Sequence, residues 1–228
     1  MTEDFCANRD ILHMSDTTFK TLGGFIHAEL GIKMPLSKKQ MVESRLKKRL
    51  IHLNIKTYAA CSRGHEPYTI AMVLSEFAAR NPRLSLNFSI LGTDISPQVL
   101  EASRNAIYPH DEITPVPLEL RKKYLLRGKN QKKDLVRIIP GLRQMVTIRQ
   151  FNLMNKTFDI KNDIDIVFCR NVMIYFDKKT QDELLTEICA KLRTNGYLFM
   201  GHSEVIQSQN YPLIPAAPTI YMKKSGMP

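Results

Sequence analysis

Three short segments contain residue types that bind polar ligands or take part in catalysis. Residues 59–64 (AACSRG) are a run of small side chains that leads into a predicted helix, where a ligand can approach the backbone and free N–H groups. Asp94 ends an apolar run; a carboxylate there can accept hydrogen bonds from both hydroxyls of a ribose, or it is a turn residue before the next helix. Arg170 and Asn171 follow a third apolar run.

The elements that must position these segments alternate between strand-like and helix-like runs. Strands are predicted at 86–91, 145–151, 164–169, 197–200 and 219–222. Helices are predicted at 66–79, 97–105 (with Ser96 as N-cap), 118–126 and 178–192. This alternation predicts an α/β domain with a mostly parallel sheet and helices on both faces. Open sheets of this kind bind ligands beyond the carboxyl ends of their strands, so residues after each apolar run are the site candidates.

The first 57 residues resemble a small, basic helical module. Between residues 33 and 56 there are eight Lys or Arg residues against one Glu. Val42, Leu46, Leu50 and Leu53 recur at helical spacing, which leaves the basic side chains outside the apolar stripe. We therefore predict a helical domain at 1–57 and an α/β domain at 58–228. A second basic surface is predicted in an insert at about 107–144, because residues 119–149 hold ten basic and two acidic side chains.

The composition narrows the class of protein. The chain has 228 residues, of which 43% are apolar and 24% charged, which is typical of a globular protein with a real core. Its apolar runs fall short of the roughly 20 residues of a membrane span, and its acidic start is unlike a signal peptide, so we expect a cytoplasmic protein. Four widely spaced cysteines predict reduced thiols and no metal site. The net charge of +11 indicates an acidic partner: nucleic acid, an anionic surface or an acidic protein face.

Four sequence strings, in this order, resemble successive signatures of the chemotaxis receptor methyltransferases, the CheR family. They are CSRGHEPYTIAM at 61–72, LGTDI at 91–95, CRNVMIYFD at 169–177 and LFMGHSE at 198–204. The basic string RLKKRL at 45–50 is similar to the helical domain of that family. The resemblance implies a Rossmann-like class I methyltransferase domain. It also implies that S-adenosylmethionine is the cofactor, S-adenosylhomocysteine the product, and chemoreceptor glutamates the groups converted to methyl esters.

The resemblance also implies roles for particular residues. The implied cofactor-binding residues are Glu66, Asp94, Asn152, Leu153, Asn171 and Val172. Among them, Asp94 would hold the ribose hydroxyls, Asn152 and Leu153 would lie beside the adenine, and Asn171 and Val172 would lie at the methionine end. The implied contacts with an acidic receptor surface are Arg45, Lys48 and Arg49.

Two aromatic side chains within these strings have two interpretations each. Tyr175 would be catalytic if its hydroxyl faced the reacting carboxylate, and it is a core aromatic otherwise. For His202, a packed histidine is preferred over a catalytic one.

The chain departs from the family pattern between the basic helices and the first strand. The family has several dozen residues there, including a Thr-Asn-x-Thr-x-Phe-Phe-Arg signature whose Asn, Thr and Arg touch the cofactor, and this chain has nothing similar. Residues 53–58 read as the end of the helical domain, with the first strand curtailed. Arg63 and His65 replace the usual Thr and Glu. The chain is therefore a degenerate relative, an internally deleted one, or a longer protein from which a disordered stretch is left out.

Two other functions stay open. A nucleic-acid-binding module would explain the charge, but the sequence has no helix-turn-helix signature, RNA-binding aromatic motif or zinc finger, and no Trp. A non-catalytic receptor- or cofactor-binding relative would explain the missing segment. Our expectation is a monomeric glutamate methyltransferase whose partner is the cytoplasmic domain of a chemoreceptor, without nucleic-acid binding or membrane insertion.

Overall fold

The computed structural model describes residues 20, 54–155, 160, 162–204, 206 and 210–225. The helical domain predicted at 1–57 therefore lies outside the described residues except for Lys20 and 54–57, and so do Arg45, Lys48 and Arg49. The domain boundaries stay a prediction. The described residues divide between two compact units, a smaller one that takes in Val73–Asn87 and a larger one that takes in Ile55–Met72 and the residues from Phe88 onward.

The strands form one large and one small sheet. They are β1 (Asn54–Ala60), β2 (Asn87–Asp94), β3 (Ile107–Pro109), β4 (Leu125–Arg127), β5 (Leu135–Ile138), β6 (Val146–Gln150), β7 (Ile164–Cys169), β8 (Leu192–Met200), β9 (Leu213–Ala217) and β10 (Ile220–Lys223). Seven of them form a sheet in the order β6-β2-β1-β7-β8-β10-β9. The pairs β2–β6, β1–β7 and β7–β8 are parallel, and β10 is antiparallel to β8 and β9. The predicted α/β fold with a mostly parallel, Rossmann-like sheet is confirmed.

Five helices connect the described strands. They are α1 (His65–Arg80), α2 (Pro97–Asn105), α3 (Leu118–Tyr124), α4 (Pro140–Gln144) and α5 (Lys178–Lys191). The Ser96 side chain caps α2 by accepting a hydrogen bond from Val99 N, and Asp177 caps α5 through Thr180 N. Within the described residues, no helix is both long and apolar enough to cross a membrane.

Residues 107–138, inside the predicted basic insert, form the small sheet. Its order is β3-β5-β4 and both pairs are antiparallel. Seven basic side chains of this region are exposed: Lys122, Lys123, Arg127, Lys129, Lys132, Lys133 and Arg137.

The main core of the larger unit packs β7 and β8 against α5. Val167 and Leu198 from the strands are 2% exposed or less, and so are Leu185, Ile188 and Leu192. This core fixes β7, whose carboxyl end carries Arg170 and Asn171. Cys61, Cys169 and Cys189 are buried free thiols, whereas Cys6 lies outside the described residues.

Several predicted elements match the structure, and among those that differ are β1, β2, β8 and β9 of the large sheet. β7 and α2 have the predicted bounds. The interpretation of residues 53–58 as the end of a helical domain with a curtailed strand was wrong, because Asn54–Ala60 form the seven-residue β1. β1 is held by contacts with β7, which its own short apolar pattern does not predict. Thr57–Ala59 pair with β7, and Lys56 N donates to Asp165 Oδ2 at 2.9 Å.

The other differences arise from turn residues inside strands. β9 was missed because it contains Pro215, which edge strands tolerate. β8 begins at Leu192 rather than at residue 197, since Asn195 (φ 58°) and Gly196 read as a helix terminator but lie within an irregular strand. β2 extends three residues beyond its predicted end, so Asp94 is its last residue.

Candidate functional site

The loop between β1 and α1 is closed tightly against β2. Cys61 N donates to Thr93 O at 2.8 Å, and Gly64 N donates to Cys61 O at 2.7 Å. Gly64 has φ +92°, and a Cβ there would lie 2.5 Å from Ser103 Oγ. Both the backbone conformation and the space therefore require glycine at this position. The loop brings the N-terminus of α1 to the carboxyl edge of the sheet.

Two basic residues of this loop point to the insert. Arg63 Nη1 lies 2.9 Å from Glu112 Oε1, and His65 Nε2 lies 3.0 Å from Glu112 Oε2. Although partial desolvation acts in the opposite direction, the hydrogen bonds from Arg63 and His65 hold the pKa of Glu112 below its usual range. Tyr108 OH donates to Arg63 O at 3.0 Å. The positive charge that the sequence adds to this loop is thus offset by Glu112.

Glu66, in the first turn of α1, forms an ion pair with Arg170 after β7. Arg170 Nη1 lies 3.2 Å from Glu66 Oε1, and the two side chains are 14% and 16% exposed. Burial raises the pKa of Glu66, and the Arg170 guanidinium acts against this rise. The pair connects the start of α1 to the end of β7.

Asp94 has the turn role that its position suggested, and its role in binding a ribose stays a prediction. Its Oδ1 accepts a hydrogen bond from Ser96 N at 3.0 Å, which makes it a turn residue before α2. Its Oδ2 accepts no hydrogen bond from the described part of the chain. Asp94 is half-buried at the end of β2, so one carboxylate oxygen is available to a ligand at the edge of the sheet.

Asn152 and Leu153 follow β6, the neighbour of β2. Asn152 Oδ1 accepts a hydrogen bond from Met154 N at 2.9 Å, and the half-buried Leu153 packs against the main core. Two large apolar side chains at this edge are exposed, Ile95 by 59% and Met154 by 54%. Neither was predicted to be a site residue, although each directly follows one.

Asn171 and Val172 follow β7 and are held by Glu204, which lies in the string at 198–204 but was not predicted to be a site residue. Glu204 is 5% exposed, and its carboxylate accepts hydrogen bonds from four backbone N–H groups. Asn171 has φ +56°, in the left-handed region. A carboxylate that follows β8 therefore sets the conformation after β7.

Tyr175 and His202 lie at the surface. Tyr175 is 79% exposed on the 3₁₀ turn Met173–Tyr175, so the interpretation as a core aromatic was wrong. His202 is also exposed, so the packed histidine was wrong too. The catalytic role of Tyr175 stays a prediction.

The site residues lie at one edge of the sheet because their strands are neighbours. β6, β2, β1 and β7 are adjacent in the sheet. Asp94 is the last residue of β2, and the segments that follow β6, β1 and β7 carry Asn152, Glu66 and Asn171. The carboxyl edge thus combines an available carboxylate oxygen, two amide side chains and exposed apolar side chains. Such a set suits a ligand with hydroxyl, amino and aromatic parts.

A family model for the CheR methyltransferase, SAM-binding domain, matches residues 33–221 of the chain. The chain belongs to the CheR family. A chemotaxis protein methyltransferase of Borreliella burgdorferi is 42% identical over 165 residues, which are 72% of this chain and 56% of that protein. Chemotaxis protein methyltransferase 2 of Pseudomonas aeruginosa is 38% identical over 164 residues (72% and 57%). The Escherichia coli chemotaxis protein methyltransferase is 38% identical over 146 residues (64% and 50%).

The match to the family model confirms two predictions. One is the resemblance to the CheR family, and the other is S-adenosylmethionine as the cofactor, since the matched region is the SAM-binding domain of CheR proteins. The chain spans about half the length of the curated relatives it matches. The roles of Glu66, Asp94, Asn152, Leu153, Asn171, Val172 and Tyr175 stay predictions.

Proposed function

We propose that the chain transfers a methyl group from S-adenosylmethionine to glutamate side chains on the cytoplasmic helices of chemoreceptors, giving glutamyl methyl esters. One observation carries the proposal: in a member of the CheR family, the chemistry-bearing residues follow four adjacent strands at one edge of the sheet. Relatives named chemotaxis protein methyltransferases support the choice of substrate class.

The described residues fit the cofactor. The oxygen of Asp94 that takes no part in the turn suits a ribose diol, and the apolar Ile95, Leu153 and Met154 suit the base. Glu66 and Asn171 suit the amino and carboxyl groups of the methionine end. S-adenosylmethionine supplies an electrophilic methyl group when it is bound.

The residues of the chain need to align and desolvate the reactants rather than activate them. A glutamate side chain has an ordinary pKa of about 4.3, so the receptor carboxylate is ionised at neutral pH and needs no general base. Alignment of nucleophile and methyl group, together with the exclusion of water, supplies the rate enhancement. In this proposal the exposed Tyr175 hydroxyl donates a hydrogen bond to one carboxylate oxygen and orients the other.

The basic surface of the insert fits an acidic helical substrate. Its seven exposed Lys and Arg side chains would speed the encounter with a receptor surface rich in Glu. The same argument applies to Arg45, Lys48 and Arg49, which lie outside the described residues.

A second candidate is a relative that binds receptor or cofactor without turnover. The sequence lacks the family segment expected between its basic N-terminal residues and β1, which favours this candidate because that segment supplies cofactor contacts in the resembling family. Such a relative would keep the sheet and the basic surface that binds the receptor, but it would not transfer a methyl group.

Two measurements on the full chain separate the candidates. Calorimetry with S-adenosylhomocysteine measures cofactor binding, and transfer of labelled methyl groups to a receptor cytoplasmic fragment measures turnover. Labelled methanol released by mild alkali identifies the product as an ester. The proposed enzyme binds and transfers; cofactor or receptor binding without transfer supports the second candidate; a folded protein that does neither contradicts both.

A further inference from the structure

The carboxylate of Glu204 lies inside a cage of four backbone N–H groups. Oε1 accepts from Val172 N at 2.8 Å and from Met173 N at 2.7 Å. Oε2 accepts from Asn171 N at 2.9 Å and from Gly201 N at 2.7 Å. The cage joins the segments that follow two neighbouring strands, β7 and β8.

We propose that Glu204 is a positioning residue that fixes the backbone of residues 171–173 at the methionine end of the cofactor site. The effect of Glu204 on cofactor binding rests on the proposed function. The fixed backbone of residues 171–173 rests on the hydrogen bonds alone. Three successive N–H groups that converge on one point form a nest for an anion, and Glu204 is that anion. Without it, these donors would be left unpaired in a region where Glu204 itself is only 5% exposed.

Steric contacts at Gly201 strengthen this assignment. A Cβ at Gly201 would lie 2.5 Å from Asn171 Oδ1 and 2.6 Å from Glu204 Oε2. Because Gly201 has no side chain, the Asn171 amide and the Glu204 carboxylate can both lie against its backbone. Asn171 also adopts φ +56°, and the hydrogen bond from its N–H to Glu204 Oε2 holds this backbone conformation.

The charge of Glu204 also acts on Glu66 of the Glu66–Arg170 pair. Burial is the main cause of the raised pKa of Glu66, and the charge of Glu204 adds to it. Glu204 thus acts on both groups that face the methionine end, on Asn171 through hydrogen bonds and on Glu66 through charge.

The test compares Glu204→Gln with Glu183→Gln, a matched control on the exposed face of α5. The glutamine amide would direct N–H groups at two of the four backbone donors. We expect affinity for S-adenosylhomocysteine to fall at least tenfold in Glu204→Gln and to stay unchanged in the control. Affinity for adenosine, which lacks the methionine end, should be unchanged in both variants. Wild-type affinity for S-adenosylhomocysteine in Glu204→Gln, or an equal loss for adenosine, would overturn the proposal.

Chemical rescue and amide exchange separate positioning from general stability. Formate or acetate should fill the empty nest in Glu204→Ala and restore affinity for S-adenosylhomocysteine, whereas chloride at equal ionic strength should not. In the wild-type protein without cofactor, the amide protons of Asn171, Val172, Met173 and Gly201 should be protected from exchange. Unprotected amides would overturn the inference even if no variant folds. Protected amides in a protein that transfers no methyl group would uphold the geometry and refute the proposed function.

Discussion

Replacing Asp94 tests whether the carboxyl end of β2 holds the ribose of the cofactor. Its two carboxylate oxygens do different things: Oδ1 accepts from Ser96 N, and Oδ2 is available to a ligand. Asp94→Ala removes both, whereas Asp94→Asn keeps an acceptor for Ser96 N and turns its amide NH₂ toward the ligand. The pair of variants therefore separates the contribution to the turn from the contribution to binding.

The magnitude follows from the kind of hydrogen bond that is lost. A charge-assisted acceptor for two ribose hydroxyls contributes about 1.5 to 3 kcal/mol, so either variant should bind S-adenosylhomocysteine more than tenfold more weakly. Loss of the hydrogen bond from Ser96 N to the carboxylate costs about 0.5 to 1.5 kcal/mol of folding stability in Asp94→Ala, and Asp94→Asn, which keeps a neutral acceptor, should lose less.

Calorimetry and thermal unfolding measure the two effects of Asp94. Asp134→Asn, at an exposed carboxylate just before β5, is the control and should change neither quantity. A folded Asp94→Asn protein with wild-type affinity would refute the assignment of Asp94 to the ribose.

The remaining predictions concern the partner, the catalytic residue and the missing segment. Reversing two basic residues of the segment at 45–49 to Glu should slow association with a receptor fragment and flatten its salt dependence without changing cofactor affinity; loss of folding would show that they are structural. These residues are Arg45, Lys48 and Arg49. Tyr175→Phe should lower kcat for methyl transfer several-fold and leave cofactor affinity unchanged, and an unchanged kcat would remove Tyr175 from the mechanism. The chain should bind S-adenosylmethionine weakly and turn over slowly, because lost contacts of about 1.5 to 3 kcal/mol each cost orders of magnitude in rate. Inserting a family-like segment should raise both the cofactor affinity and the rate of methyl transfer. The insertion point is before Asn54, because an insertion after Lys56 would split β1. Full activity without any insertion would refute this prediction.

The sequence predicts best those elements whose local signals agree. α2 has a Ser cap followed by Pro97, and β7 is a continuous apolar run, so their bounds were predicted correctly. β1 carries Lys56 and Thr57 in a short apolar pattern and depends on pairing with β7, which lies more than a hundred residues away. Local pattern cannot reveal such a partner, and the strand was misread.

Some residues of the candidate site could be predicted from the sequence, and others could not. Asp94 and Asn171 were found because each follows a strand, and parallel strands bring such residues to one edge. Glu204 and Glu112 were given no role because all their partners except Gly201 lie 31 to 49 residues away along the chain. Their importance comes from the N–H groups and cations that the fold places around them. One signal was available for Glu204: it stands in the same motif as Gly201, a residue type that often marks a close approach of two backbones.

The most direct test of the proposed function is transfer of labelled methyl groups from S-adenosylmethionine to a receptor cytoplasmic fragment, followed by mild alkali. We expect label on receptor glutamates that alkali releases as methanol, with a rate of labelling that depends on the Asp94 carboxylate. A folded chain that binds the receptor fragment and leaves no alkali-labile label on it, with or without the inserted segment, would contradict it.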